Sequence, residues 1–214
     1  MKRIVVMISG SGSNLQTIID QIHRSDDAAQ IVCVISNKPD AFGLQRAKEA
    51  GIPHVCVDSQ STSGDRAAYD KLLVTTIEEY QADLIVLAGF MRILSDSFVN
   101  QYLGRLINIH PSLLPKYKGL NTHQRAIDNG DTEHGVSVPF VTPELDGGPV
   151  ILQAKVPIFP EDDAEDIAQR VQVQEHQIYP LVVRWFIQDR LIMDDGRAFM
   201  DQHVLGSNGF AHEE

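Results

Sequence analysis

The sequence predicts an α/β fold in which helices flank a mostly parallel central sheet of about seven strands. Short apolar runs rich in Val and Ile alternate with segments of helical periodicity, an alternation typical of parallel strands joined by crossover helices. These runs are apolar at consecutive positions, as strands covered by helices on both faces must be. Because no linker rich in Pro or Gly divides the elements, we expect a single domain over residues 1–214.

The N-terminal half contains four predicted strands, at 3–8, 31–35, 54–57 and 84–88. The spacing of four apolar residues at i, i+3, i+4 and i+7 predicts the first helix, with one apolar face formed by Leu15, Ile18, Ile19 and Ile22. A second helix near 42–50 ends at Gly51, a usual C-terminal stop. A third helix spans 65–80. Residues 1–100 therefore form a Rossmann-like α/β half.

The C-terminal half begins with a strand at 105–110 and a long connection over 111–135, with a helix near 122–129. Strands at 135–142 and 149–156 precede a long helix from 162 to about 188. We expect residues 191–214 to form a small hairpin, turning at 194–197, and a polar tail that is frayed from Gly206.

Composition and charge narrow the functional classes. The chain holds 18 Lys and Arg against 29 Asp and Glu, a formal net charge of -11, which disfavours nonspecific contact with nucleic acid or anionic membranes. No apolar run approaches the roughly 20 residues of a membrane-spanning helix, and the N-terminus lacks the apolar stretch of a secretory signal. We expect a cytoplasmic protein with small-molecule substrates, without nucleic acid or membrane partners.

A glycine-rich loop, Gly10-Ser11-Gly12-Ser13-Asn14, joins the first strand to its helix. Glycine permits close backbone approach to a ligand, and the N–H groups of a helix start favour an anion. A dinucleotide fingerprint would need a third glycine where Leu15 stands and an acid at the end of the second strand. The loop thus indicates a phosphate monoester, such as a phosphoribosyl group, without NAD. A merely structural turn is the alternative.

Asn108 and His110 share one face of the fifth predicted strand, because side chains repeat every two residues. Pro111 then stops the strand pairing. Ligands bind at the carboxyl ends of strands in open α/β sheets, so an amide and an imidazole there could hold an oxyanion. The alternative is a buried structural pair.

Two other chemistries fit the pattern poorly. His110, His123, His134 and Asp146 lack the spacing of a metal site, and we expect no metal. A Ser–His–Asp hydrolase is disfavoured because the chain has no G-x-S-x-G elbow. Cys33 and Cys56 both lie in apolar runs, and we expect two buried, reduced thiols.

Four segments in order carry a resemblance to a known family. They are residues 8–15 (ISGSGSNL), 87–94 (LAGFMRIL), 108–115 (NIHPSLLP) and 144–149 (ELDGGP). With them the sequence resembles the phosphoribosylglycinamide formyltransferases, folate-dependent enzymes of purine synthesis, from residue 3 to about 190. The resemblance implies the formyltransferase fold and transfer of a formyl group from 10-formyltetrahydrofolate, as co-substrate, to the amine of glycinamide ribonucleotide.

The resemblance also implies residue roles. The catalytic residues would be Asn108, His110 and Asp146. The ribonucleotide would be bound by Gly12, Ser13, Asn14, Gln172, Val173, Gln174 and Glu175. The folate would be bound by Arg66, Met91, Arg92, Ile93, Leu94, Asn108, Thr142, Pro143, Glu144, Leu145 and Asp146. Residues 1–100 would then be a phosphate-binding half, and residues 101–190 a catalytic and folate-binding half.

The chemistry of the trio fits these roles. Attack of an amine on the formyl carbon generates a tetrahedral oxyanion, which Asn108 and protonated His110 would stabilise. Asp146 near the imidazole would favour its charged form. The sequence departs from the family pattern at Lys118, where Pro is frequent, and at Asn121 and Pro139, where His is frequent, so accessory roles of these positions are in doubt.

Related folate-dependent enzymes share the segment 108–115. Methionyl-tRNA formyltransferase would require an added C-terminal domain and a basic surface, and formyltetrahydrofolate hydrolase usually adds an N-terminal regulatory domain. A catalytically silent nucleotide-binding module is the alternative from another class. We expect the transferase, as a monomer or homodimer.

Overall fold

The computed structural model describes residues 1–25 and 28–210. Its contacts divide the chain into two compact units, Met1–Ile107 and Asn108–Glu214. Each unit is described by itself.

The first unit is built on a five-stranded parallel sheet with the order β3-β2-β1-β4-β5. The strands are β1 (Lys2–Ile8), β2 (Ala29–Ser36), β3 (His54–Cys56), β4 (Leu84–Leu87) and β5 (Leu106–Asn108). The expectation of about seven strands in this sheet is wrong. The two later apolar runs pair with each other instead, in an antiparallel ribbon of the second unit.

In the described part of this unit, four helices accompany the sheet: α1 (Ser13–Ile18), α2 (Phe42–Glu49), α3 (Arg66–Glu79) and α4 (Asp96–Gln101). A π-helical turn, Ile19–His23, continues α1, and the four apolar residues of the predicted face are fully buried. Gly51 follows α2 with φ +70°, which confirms the predicted stop. The sequence analysis missed α4, since its six residues are too few to display a helical period.

The second unit contains an antiparallel ribbon, a three-stranded sheet and two helices. The elements are α5 (Thr122–Asp128), β6 (Glu133–Pro139), β7 (Val150–Pro157), α6 (Ala164–Ile187), β8 (Leu191–Asp194), β9 (Arg197–Met200) and β10 (His203–Val204). Asp163 begins α6 with a reciprocal capping box to Asp166. Pro180 lies inside α6, which continues past it, and the predicted hairpin is formed by β8 and β9.

Two sequence-based expectations about exposure are wrong. The segment after Gly206 is docked rather than frayed up to Phe210, whose N–H donates to the Ile151 carbonyl at 2.7 Å and whose ring meets Trp185 at 5.2 Å. The rest of the predicted tail, 211–214, lies outside the described residues. Cys33 is buried as expected, but Cys56 is exposed because β3 lies at the sheet edge. Within the described residues, none of the helices has the length and apolarity to cross a membrane.

Candidate active site

The carboxyl ends of β1 and β4 meet where the strand order of the first unit reverses. Such a reversal opens the crevice in which α/β sheets bind ligands. The Ser9 hydroxyl, just after β1, accepts a hydrogen bond from the Met91 N–H at 2.7 Å and donates to Asn37 Oδ1 at 2.5 Å. The structure therefore brings the glycine loop beside the 91–94 segment.

The glycine loop is shaped by contact with α2. Gly12 has φ +71°, and a Cβ built on it would lie 2.7 Å from the Gly43 Cα, so a side chain has no room there. Ser13 and Asn14 open α1, and Asn14 is buried. Sequence analysis missed Arg46, whose Nε donates to the Ser11 carbonyl at 2.8 Å. This cation lies directly against the loop.

The segment Met91–Leu94 exposes two apolar side chains. Met91 is 70% exposed and Ile93 is 54% exposed. Between them, the Arg92 guanidinium lies over the Tyr69 ring, 4.0 Å from its centroid. Burial raises the pKa of Tyr69 to about 12, with Arg92 acting in the opposite direction. Arg66, at the start of α3, is exposed.

The loop after β5, residues 109–115, is called the signature loop. It is hydrogen-bonded to the antiparallel ribbon of its own unit. His110 exchanges two backbone hydrogen bonds of 2.9 Å with Ser137 on β6, so the predicted strand 105–110 ends earlier and His110 forms an antiparallel bridge. The Ser137 hydroxyl donates to the Ser112 carbonyl and accepts from the Leu114 N–H. Gln153 on β7 donates to Ser137 Oγ and to the Leu114 carbonyl, each at 2.9 Å. These contacts fix the backbone from His110 to Leu114.

Sequence analysis missed Ser137 and Gln153. A fully buried Ser between Val136 and Val138 on an apolar strand was the available signal, because a buried hydroxyl requires hydrogen-bond partners. Gln153 carried no comparable signal, since a polar residue on a ribbon is ordinarily solvated.

The imidazole of His110 lies between an acceptor and a carboxylate. Its Nε2 is 2.9 Å from the Tyr117 carbonyl oxygen, and its Nδ1 is 3.7 Å from Asp146 Oδ2. A carbonyl only accepts, so Nε2 carries a proton and Nδ1 faces the carboxylate. Both side chains are at most 10% exposed. The structure thus brings His110 and Asp146 together, and both can take part in proton transfer. Asn108 ends β5 and is half-buried.

The loop that carries Asp146 is held by its neighbours. Asp146 has φ +48°, and its Oδ2 accepts the Gly119 N–H at 2.8 Å. A Cβ on Gly148 would overlap the Phe140 carbonyl oxygen, which explains a glycine at this position. Asp146 also lines a cavity of about 310 Å³.

The three departures from the family pattern have local roles. Lys118 Nζ pairs with Glu144 Oε1 at 2.8 Å, and this hydrogen-bonded cation lowers the pKa of Glu144. Asn121 takes the left-handed φ of +55° immediately before α5. Pro139 ends β6 opposite Val150.

The remaining predicted site residues lie on α6 and in the loop that precedes Asp146. Gln172, Val173, Gln174 and Glu175 lie along α6, with Val173 exposed. Glu175 contributes to a raised pKa of the buried Tyr179, after burial itself, so this carboxylate faces the helix turn below. Thr142 is half-buried, whereas Pro143 to Leu145 are exposed.

A buried pair of histidines, His123 and His134, lies near His110. His134 Nε2 is 3.1 Å from His123 Nδ1, and His134 is 1% exposed. Burial lowers the pKa of His134 to about 4, with the charge of His123 acting in the same direction. Burial and the charge of His110 lower the pKa of His123. Within the described residues, no group of three or more His, Cys, Asp or Glu side chains could hold a metal ion.

The parallel sheet with its ligand crevice and the buried imidazole–carboxylate pair are features of an α/β enzyme. The formyl transferase family model matches residues 2–183, and the chain belongs to this family. It is 57% identical over 212 residues to the phosphoribosylglycinamide formyltransferase of Escherichia coli (strain K12), covering 99% of both chains. The Haemophilus influenzae enzyme is 52% identical over 213 residues and 100% of both chains.

Solved structures agree. The phosphoribosylglycinamide formyltransferase of Coxiella burnetii superposes with a TM-score of 0.92 at 50% identity, over 97% of each chain. A glycinamide ribonucleotide transformylase of Symbiobacterium toebii gives a TM-score of 0.88 at 40% identity, over 94% of each chain. The fold of this chain is thus the fold of that family.

Proposed function

We propose that this chain transfers the formyl group of 10-formyltetrahydrofolate to the amine of glycinamide ribonucleotide, in purine biosynthesis. The products are formylglycinamide ribonucleotide and tetrahydrofolate. The proposal rests on the buried His110–Asp146 pair, in which His110 Nδ1 lies 3.7 Å from Asp146 Oδ2. Two full-length bacterial relatives named for this reaction support the choice of substrate.

The ribonucleotide is bound through its phosphate and its sugar. Gly12, Ser13 and Asn14 hold the phosphate with the N–H groups at the start of α1, a site that suits an anion. Arg46, which contacts the loop, adds the positive charge that the loop residues lack. The Glu175 carboxylate accepts hydrogen bonds from the ribose end, and Gln172, Val173 and Gln174 lie beside it on α6.

The folate is bound by backbone groups and apolar surface. Met91 and Ile93 supply exposed apolar side chains for the pterin, and Arg92 and Leu94 complete that segment. Arg66 is an exposed cation suited to a folate carboxylate. The loop Thr142, Pro143, Glu144, Leu145 and Asp146, together with Asn108, supplies further contacts to the folate.

The residues carry out the transfer as follows. The neutral amine attacks the formyl carbon, its electron pair forms the new C–N bond, and the carbonyl oxygen becomes an oxyanion. The Asn108 amide and the imidazolium of His110 donate to that oxyanion. Each such donor typically contributes about 2.7–4 kcal/mol of transition-state stabilisation. The Nδ1–H is available, because 3.7 Å from Asp146 is an ion-pair distance without a short hydrogen bond.

Collapse of the tetrahedral intermediate breaks the bond to the folate nitrogen. The attacking amine loses one proton and the departing nitrogen gains one, so no net proton is consumed. His110 gives its proton to the departing nitrogen and takes up the proton that the amine loses, and the Asp146 carboxylate balances the imidazolium charge before and after the transfer. The Gly119 N–H holds that carboxylate in place.

The alternative functions have less support. A hydrolase or a transferase for another acceptor would use the same trio, but the full-length relatives are named for glycinamide ribonucleotide chemistry. A silent binding module would have no need for a buried imidazole–carboxylate pair.

The test follows loss of the formyl group by absorbance, with and without glycinamide ribonucleotide. Loss that depends on the ribonucleotide supports transfer, whereas loss without it supports the hydrolase. His110→Ala is the inactive variant. His203→Ala is its matched control, because His203 is exposed on β10. Equal rates for the two variants would contradict the assignment of His110.

A further inference from the structure

The segment from Met91 to Ser95 is anchored at both ends by buried polar side chains. At one end, the Met91 N–H donates to Ser9 Oγ at 2.7 Å. At the other end, the Ser95 N–H donates to Asp70 Oδ2, also at 2.7 Å. The two bonds reach across 82 and 25 residues of sequence, so each is a tertiary contact rather than part of a local turn.

Both anchors are rigid parts of the first unit. Ser9 is 5% exposed and donates to Asn37, which is itself buried. Asp70 is 4% exposed, and its second oxygen, Oδ1, has no hydrogen-bond partner among the described residues. A buried carboxylate with one bond holds that donor firmly, because a charge-assisted bond in a low-dielectric setting is strong.

A third contact fixes the segment between its ends. The Arg92 guanidinium stacks on Tyr69, the residue before Asp70 on α3, at 4.0 Å from the ring centroid. The Tyr69 ring is itself held, since its hydroxyl donates to the Val57 carbonyl at 2.8 Å. Two adjacent residues of α3 therefore hold the segment: the Tyr69 ring stacks with Arg92, and the Asp70 carboxylate accepts the Ser95 N–H.

The anchored segment nevertheless presents apolar surface to solvent. Met91 and Ile93 are 70% and 54% exposed, although hydrogen bonds to buried side chains hold the backbone at both ends of the segment. Fixing a binding surface before the ligand arrives reduces the entropy lost on binding. A rigid backbone with outward apolar side chains is what a flat ring system requires.

We infer that Ser9 and Asp70 are positioning residues for the folate site. They contact no substrate themselves, and they hold the N–H groups of Met91 and Ser95 so that the segment between them keeps the shape that receives the pterin. This inference rests on the proposed function, since it takes the 91–94 segment as the pterin wall.

The experiment measures KM for 10-formyltetrahydrofolate, KM for glycinamide ribonucleotide, and kcat. Ser9→Ala and Asp70→Ala each leave a partly buried N–H without its acceptor, and we expect the folate KM to rise about tenfold. Asp70→Asn keeps an acceptor oxygen for the Ser95 N–H, so its folate KM stays close to that of the wild type. The ribonucleotide KM and kcat change by less than about threefold in all variants.

Ser36→Ala is the matched control. Ser36 is also a buried serine at the carboxyl end of a strand, but among the described residues its hydroxyl bonds only to Lys38 backbone groups. The Kd of tetrahydrofolate, measured by calorimetry, gives a second readout, and urea unfolding of each variant shows how much is lost to stability alone.

The outcomes separate the possibilities. A folate KM raised in Ser9→Ala and Asp70→Ala but not in Ser36→Ala or Asp70→Asn supports the inference. Unchanged folate KM in Ser9→Ala, or an equal rise in Ser36→Ala, overturns it, and Ser9→Ala decides alone if Asp70→Ala fails to fold. Failure of the proposed function would look different, because the wild type would then not transfer the formyl group to glycinamide ribonucleotide.

Discussion

Acid should destabilise the protein through His134, and the size of the effect follows from its burial. The imidazole is 1% exposed and its pKa lies at about 4 in the folded chain, against an ordinary value of 6.5. The folded state therefore favours neutral His134, and the unfolded chain binds its proton more readily. The resulting stabilisation, about 3 kcal/mol, is fully present above pH 6.5 and is lost as the pH falls from 6.5 towards 4. About 2 kcal/mol is lost by pH 5.

The perturbation that isolates this effect is His134→Gln, which leaves a polar side chain that does not titrate. Urea unfolding at pH 7.5 and pH 5 gives the free energy of unfolding for both proteins. We expect the wild type to lose about 2 kcal/mol more than the variant between the two pH values. The difference reports the titration of His134 together with its coupling to His123, because the remaining titrating groups are present in both proteins. An equal loss in the two proteins would refute the reasoning.

Four further predictions concern the site. His110→Ala should lower turnover about 10²–10⁴-fold, and wild-type turnover would exclude this residue as the acid. Asp146→Asn keeps an acceptor for the Gly119 N–H and tolerates φ +48°. It should therefore fold normally but turn over slowly, and an unchanged rate would reduce Asp146 to a turn residue. Gly148→Ala places a Cβ against the Phe140 carbonyl and should lower the free energy of unfolding by about 1–3 kcal/mol in a urea titration; wild-type stability would contradict that contact. Asn14→Asp should raise the ribonucleotide KM about tenfold, since like charges a few Å apart repel by about 1–4 kcal/mol, and an unchanged KM would remove the phosphate assignment.

Local patterns predicted the elements well. The buried face of Leu15, Ile18, Ile19 and Ile22 and the stop at Gly51 are properties of single helices, which a period and a left-handed residue express directly. The hairpin at 194–197 was likewise predictable from its turn. The strand count of the sheet was not, because β6 and β7 are apolar runs like the others and their pairing with each other is a long-range choice.

The sequence supplied the side chains proposed for the site but not the groups that hold them. The spacing of Asn108 and His110 and the resemblance to the family pointed to those side chains, and their roles stay a prediction. Nothing in the sequence indicated that the Tyr117 carbonyl would accept the hydrogen bond from His110 Nε2, because every residue of the chain carries an equivalent backbone carbonyl. The sequence likewise did not indicate that the Gly119 N–H would donate to Asp146, or that the Met91 N–H would donate to Ser9.

The sequence by itself therefore determined which segments become helices and strands and which side chains can donate, accept or carry charge, since these depend on near neighbours and on residue type. Only the tertiary structure decided that the strand ends at Asn108, that His110 bonds across to Ser137, and that its ring is held 3.7 Å from Asp146. The physical reason is that backbone donors and acceptors are identical along the chain. Their partners are chosen by packing between elements far apart in sequence.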